Sequence, residues 1–403
     1  MTTVDILSPV CDGPAVASGP LGASDLTRVN CANDSPVAFQ KSHDECILQL
    51  ARPNIVAMAP YSSARSLVSE AGGELAYMDA NELGDDFLTP GLYPPRANRY
   101  PEPQPPELLS VLGRLYGVEP SRLCVGAGAD AAIDAVIRMF CDPGRDAIVI
   151  TPPTYGYYKV AAEIHGARVL EAPLKGAGWD LDEEAILQSV EAGGKVVFVC
   201  SPNNPTGHAF PRSKVLSLAA RLVGRAVLVV DEAYGEFSRE RGVAQEVADY
   251  PGLVVLKTLS KAWGLAGLRI GTAIAHESLI ALMHKVRFPY PLSRLSTMAA
   301  LTALGAEPEK TIESRVVRVH EERERLSTGL LRSPLVAAVL PSQTNFLLVR
   351  CHGENAHSEF LAAARKARVI VRDRGREKGL AASVRVSVGS PSENDLLIGA
   401  VGC

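Results

Sequence analysis

One lysine is set apart by its neighbours. Lys261 lies in "TLSKAWGLAGLRIG", directly after the apolar run "GLVVL", with Ser260 before it and Arg269 eight residues further on. Two similar run-and-stop patterns precede it. "KVVFVC" ends in "SPNNPTG" and delivers Asn203 and Asn204; "AVLVV" ends in "DEAY" and delivers Asp231 and Tyr234. Further upstream, Gly126 to Gly128 open a helical pattern whose first amides, at Ala129 and Asp130, can hold a phosphate. Singly, each signal is weak. A GxG turn is often only a tight turn, an aspartate after a strand can be a helix cap, and a lone lysine is commonly solvated. An amine, a carboxylate, an amide and a phenol at successive strand ends form a stronger pattern.

Such a set suits pyridoxal 5′-phosphate (PLP), which needs a lysine amine, an acid facing its ring nitrogen and a phosphate cradle. Lys261 supplies the amine. Asp231 can keep the ring nitrogen protonated. Asn204 and Tyr234 can hydrogen-bond the ring oxygen, and Tyr155, in "PPTYG", can stack on the ring. Ser260, Arg269 and the amides of Ala129 and Asp130 can hold the phosphate. Lys261, Asp231 and Tyr234 are the candidate catalytic residues. No metal site is expected: no HExxH or CxxC occurs.

The elements that must position these groups follow from periodicity. "RDAIVITPP", "KVVFVCSPNNP", "AVLVVDEAY" and "GLVVLKTLSK" are apolar, β-branched runs, alternating with helical patterns such as "YGYYKVAAEIHG" and "SKVLSLAARLVG". That alternation predicts a mostly parallel α/β sheet covered by helices on both faces, with ligands at the carboxyl ends of its strands. In "GAGADAAIDAVIRMFCDPG", Ile133, Val136, Ile137 and Phe140 recur at helical spacing and "DPG" closes the helix. "YPEPQPP" reads as extended loop. Past residue 300, "TIESRVVRVHEERERLSTGLL" reads as a helix with a solvated charged face. "TNFLLVR", "ARVIVRD" and "SVRVSVG" read as strands of a smaller α+β unit.

The division expected is an N-terminal extension over 1–50, an arm with part of the small domain over 51–104, a large cofactor-binding domain over 105–300 and a small domain over 301–403. The 403 residues carry 47% hydrophobic residues and a formal charge of −4, which supports a sizeable core and argues against a nucleic-acid or membrane-surface binder. Eight scattered cysteines without CxxC pairs point to reduced thiols and a cytoplasmic protein. His352 and His357 are read as solvated. The first residues lack a basic leader, and no run of 18 apolar residues predicts a membrane span.

"SPNNPTG", "VVDEAY", "TLSKAWGLAGLRIG" and "VRVSVG" together resemble the fold-type I PLP enzymes of the class I/II aminotransferase family. "PYSSAR", "DANE", "NRYPEPQP", "CDPGRDAIVITPPTYGYY", "FPYPLS" and "TNFLLVR" are most similar to its histidinol-phosphate aminotransferase branch. The resemblance implies transamination between an amino donor, histidinol phosphate, and 2-oxoglutarate, as in histidine biosynthesis or a related pathway. It also implies that Arg385 and Arg372 bind substrate anions and that Tyr61 and Asn81 line the substrate pocket. Tyr100 would reach the cofactor phosphate of a partner subunit, which makes the expected assembly a homodimer with shared active sites. The chain departs at "ANELGDD", where the family usually continues "ANENP", and in its longer N-terminal extension. Rival readings share the PLP residues: an aminotransferase for aromatic or other specialised amino acids, or a decarboxylase of a phosphorylated amino acid. A PLP-binding transcriptional regulator would need a basic helix-turn-helix in front, which the first 50 residues do not offer.

Overall fold

The computed structural model describes residues 48–59 and 97–402. A seven-stranded sheet comprises β1 (Leu123–Ala127), β2 (Ala147–Ile150), β3 (Arg168–Glu171), β4 (Gly194–Cys200), β5 (Val227–Asp231), β6 (Leu253–Thr258) and β7 (Ile270–Ala275). Its spatial order is β1-β7-β6-β5-β4-β2-β3. Only β7 runs against its neighbours, pairing antiparallel with both β6 and β1; the other pairings are parallel. The expected α/β sheet is therefore present, and its four apolar runs are β2, β4, β5 and β6. β7 was not anticipated, because "IGTAIA" is rich in glycine and alanine and carries a weak strand signal.

Both faces of the sheet are covered. Alternate residues of one strand separate cleanly: Val227 and Val229 of β5 join one core, and Leu228 and Val230 join the other. The first core packs under α3 (Ala129–Phe140), α4 (Tyr157–Ile164) and α7 (Glu277–Val286), and also holds Ile55 of α1 (Pro53–Ala57). The second lies under α2 (Pro106–Tyr116), α5 (Glu183–Glu191) and α6 (Arg212–Leu222). α2 opens within "YPEPQPP", since Pro106 takes the first helical position, where its missing N–H costs nothing. The loop expected there ends one residue earlier than its prolines suggest.

After α8 (Arg294–Leu304) and the long α9 (Pro308–Leu330), a four-stranded antiparallel sheet forms. It has the order β10-β11-β9-β8, from β8 (Val336–Val339), β9 (Phe346–Cys351), β10 (Arg372–Asp373) and β11 (Ser383–Ser387). Its core includes Phe360 of α10 (Glu354–Lys366) and Leu397 of α11 (Pro391–Val401). Three expectations fail here. "ARVIVRD" is strand only at its last two residues, because Arg368 takes a left-handed φ of 61° and β10 pairs with β11 only at Arg372 and Asp373. His357 is not solvated; it is buried and its Nε2 lies 3.1 Å from Asp373. The charged face of α9 is not uniformly wet, since Arg323 is buried and donates from Nη1 to the Thr344 carbonyl at 2.9 Å.

Candidate active site

Strand alternation decides what "DEAY" does. Asp231 ends β5 on the side of α3 and α4. Glu232 faces the other way, where its carboxylate lies 3.0 Å from Lys257 Nζ. Lys257 is buried between Glu232 and Glu236, 5.8 Å from the Tyr116 ring. One motif thus supplies a group to the cleft and an ion pair that fastens β5 to β6 behind it.

Nine expected residues line a single cleft at the carboxyl end of the sheet, among them Lys261, Asp231, Tyr234, Asn204, Tyr155 and Arg269; its empty volume is about 600 Å³. Ser260, Ala129 and Asp130 complete the set with Cys200 and Thr258, which the sequence reading did not single out. Cys200 closes β4 and Thr258 closes β6, so strand-end position was the available signal. Asn203 turns away from the cleft: it is buried and binds Thr154, Thr206 and the Pro153 carbonyl, which fixes the loop that presents Asn204.

The carboxylate end of the cleft is fully enclosed. Asp231 accepts from Tyr158 Oη at 2.6 Å and from the Ala233 amide at 3.0 Å. Burial lifts its carboxyl above the ordinary range, and those two hydrogen bonds pull against that rise. Beside it, Asn204 Nδ2 lies 3.5 Å from Tyr234 Oη. Burial pushes the Tyr234 phenol up, so it stays neutral and able to donate. Lys261 Nζ stands 5.6 Å from the Tyr234 ring centroid. Burial, then the nearby Arg385 charge, hold its amine below the usual lysine range.

At the other end lies a glycine-built cradle. Gly128 caps α3 with φ 83°, and a side chain there would strike the Arg269 guanidinium. A Cβ at Gly271 would run into the backbone of Gly128 and the Ala129 amide. Arg269 itself adopts a left-handed φ of 53°, uncommon for a side chain of its size, and its Nη2 comes within 3.4 Å of Asp130. Thr258 Oγ1 accepts from the Ser260 amide at 3.1 Å and lies 3.0 Å from Ser260 Oγ, setting that hydroxyl at the cradle. Tyr155 donates to Asp130 at 3.2 Å, across the same space.

The residues expected to meet the substrate are less completely placed. Arg385 Nη1 donates to Asn204 Oδ1 at 2.5 Å, so the guanidinium reaches the cleft from the second sheet. Arg372 stands opposite Arg385 in the β10–β11 register but is exposed. Arg374, two residues on, is buried and paired with Glu377 at 2.6 Å. In the sequence its only signal is that it shares the strand parity of Arg372. Tyr100 is half exposed, stacks on Tyr290 at 4.5 Å and is not among the residues lining the cleft of its own chain. Tyr61 and Asn81 lie outside the described residues.

With this geometry in hand, comparison with known proteins is decisive. The family model for aminotransferase class I and II matches residues 93–401. The chain belongs to that family. A histidinol-phosphate aminotransferase of Xylella fastidiosa (strain 9a5c) is 41% identical over 355 residues, spanning 87% of this chain and 95% of its own length. One from Cronobacter sakazakii is 40% identical over 359 residues, 88% and 96% of the two lengths. Among solved structures, the histidinol-phosphate aminotransferase from Sinorhizobium meliloti in complex with pyridoxal-5′-phosphate has a TM-score of 0.69 and 26% identity. It covers 75% of this chain and 82% of that one.

The protein is accordingly a PLP-dependent aminotransferase of fold type I, acting on amino and 2-oxo acid substrates. Its cleft fits the cofactor: two glycines leave room at a helix N-terminus where side chains would intrude, and an enclosed carboxylate faces an amine across the cavity. Among the described residues no group of three or more His, Cys, Asp or Glu could hold a metal ion. No described helix is long and apolar enough to cross a membrane.

Proposed function

We propose that this aminotransferase moves the amino group of histidinol phosphate to 2-oxoglutarate, releasing the corresponding carbonyl compound and glutamate. The observation that carries the reading is the Arg385 guanidinium at the cleft, bound to Asn204 at 2.5 Å and close enough to depress the Lys261 amine. Relatives of that activity, at about 41% identity over most of both chains, support the choice of donor.

Bound in the cleft, PLP supplies a carbonyl that joins to amines and a ring that draws electrons from the carbon beside the nitrogen. The chain supplies the rest. Lys261, held below its usual range, takes the α-proton of the amino donor as a base. Asp231 keeps a proton on the ring nitrogen. Asn204 and Tyr234 donate toward the ring oxygen, and Tyr155 covers one face of the ring. Ser260, Arg269 and the amides of Ala129 and Asp130 hold the cofactor phosphate. Arg385, with Arg372, binds the donor's phosphate in one half-reaction and a carboxylate of the 2-oxo acid in the other, because a guanidinium fork fits either anion. Tyr61 and Asn81 shape the rest of the substrate pocket.

Tyr100, exposed and outside the lining of its own cleft, is assigned to the cofactor phosphate of a second subunit, which makes the enzyme a homodimer with shared sites. Four described cysteines are buried and unpaired with one another, which supports a cytoplasmic location. The domain division at about residues 105 and 300 belongs to the same reading, with one sheet inside residues 123–275 and the other inside residues 336–387.

Incubating the holoenzyme with 2-oxoglutarate and single amines tests the reading. Glutamate should form fastest with histidinol phosphate. Faster turnover of phenylalanine or tyrosine would move the assignment to an aromatic aminotransferase. Carbon dioxide from threonine phosphate would make it a decarboxylase.

A further inference from the structure

Tyr158 is a fully buried side chain at the heart of the site that no motif singled out. Its ring stacks on Phe198, with centroids 4.7 Å apart and planes 13° apart. It also meets the edge of Tyr155 at 5.4 Å and 86°. These two contacts fix the ring, and with it the hydroxyl that donates to Asp231 Oδ2 at 2.6 Å. Only one other hydrogen bond to that carboxylate is seen among the described residues, from the Ala233 amide.

A buried carboxyl facing a pyridine nitrogen has two arrangements. The proton can sit on the nitrogen, giving an ion pair, or on the carboxyl, giving two neutral groups. Loss of water favours the neutral pair; hydrogen bonds donated to the carboxylate favour the ion pair. We propose that Tyr158 is a positioning residue that, through its hydrogen bond to Asp231, holds the proton on the cofactor's ring nitrogen. This rests on the assignment of Asp231 made above.

The surroundings fit that task. Asp231 is lifted by burial and by the Asp130 charge from α3, and lowered by Tyr158, the Ala233 amide and the Lys261 charge. Tyr158 itself is pushed well above its ordinary value, first by burial and then by Asp231, so it stays a donor wherever the protein is folded. Cys200, on β4 beside both, is also raised by burial and stays a neutral thiol. Tyr158 is therefore a donor that holds its own proton while stabilising the carboxylate. Its phenol also ties Asp231 to Tyr155, so the acid below the ring nitrogen and the aromatic face share one rigid support.

The test uses holoenzyme carrying PLP labelled with ¹⁵N in the ring, read by solid-state NMR. Wild type should show a protonated ring nitrogen. In Tyr158→Phe, which keeps both ring contacts, the signal should move toward the unprotonated position, and kcat should fall about tenfold or more, the scale of one hydrogen bond to a charge, with KM little changed. With 3-fluorotyrosine at position 158, which keeps the shape and strengthens the donor, the nitrogen should stay protonated. A protonated nitrogen in Tyr158→Phe equal to that of wild type overturns the inference and leaves Asp231 its role. An unprotonated nitrogen in wild type overturns the Asp231 assignment and the inference with it. If Tyr158→Phe does not fold, the fluorinated protein decides: loss of the protonated signal there overturns the inference, and its retention to higher pH than in wild type supports it.

Discussion

The chemistry of the cleft rests on a few side chains whose environments differ sharply. Lys261 is held below its ordinary range by burial and by Arg385, so the neutral, nucleophilic amine is reached at lower pH. In the cofactor-free protein an acylating reagent should therefore modify Lys261 at a pH below that needed for an ordinary surface lysine; mass spectrometry across a pH series measures the onset. An onset at or above that of the surface lysines would contradict the placement. Lys261→Ala should cut turnover by about a thousandfold, within the range for loss of a positioned base, as measured by glutamate formation. Arg385→Ala should raise KM for both the amino donor and the 2-oxo acid by about 10- to 100-fold, the scale of a lost charge-assisted hydrogen bond. If both half-reactions keep wild-type rates, Arg385 is not the shared anion site. Lys261 was readable in the sequence because it follows an abrupt end to an apolar run, and Arg385, in the middle of β11, only through the family resemblance of "VRVSVG". Tyr158 and Arg374 were not: each is buried among more exposed neighbours, and only the fold says what it meets.

Elements, not single residues, make the cradle and its support. The loop between β1 and α3 passes so close to β7 that Gly271 has no room for a side chain, and one at Gly128, at φ 83°, would meet the Arg269 guanidinium. Gly271→Ala should push the Ala129 amide away, lowering PLP affinity at least tenfold and stability by about 1–3 kcal/mol, the cost of overpacking. Equilibrium dialysis and urea denaturation measure the two effects. Behind the cleft, Lys257 of β6 is the cation shared by Glu232, at 3.0 Å, and Glu236, at 3.7 Å, on the loop after β5. Lys257→Ala leaves those carboxylates unpaired in a buried site and should cost about 3–5 kcal/mol in the same denaturation experiment. The sequence announced the parallel strands because continuous β-branched runs have few other uses. It did not announce β7, which lacks such side chains, nor the shortness of β10, where a left-handed residue at 368 delays pairing until Arg372.

At the scale of the whole molecule, two sheets meet at one cleft: the first supplies most of its lining, and β11 of the second supplies Arg385. This joint was readable only through family resemblance, since nothing in the spacing of "SPNNPTG" and "VRVSVG" says that they touch. The proposed shared-site dimer has a direct test. Lys261→Ala and Tyr100→Ala each disable the site to which they belong. A hybrid dimer of the two variants carries one doubly altered site and one intact site. Co-expression should therefore recover about a quarter of wild-type activity, half the dimers being hybrids with one working site each. No recovery would place Tyr100 outside the partner's site.

The central claim is that this cleft takes histidinol phosphate as its amino donor at Lys261. Rapid mixing of the PLP-loaded enzyme with one amine at a time, followed by the cofactor's visible absorption, tests it in a single turnover without an acceptor. The account predicts fast loss of the lysine-linked band with histidinol phosphate and slow loss with phenylalanine or tyrosine. The reverse order would contradict it.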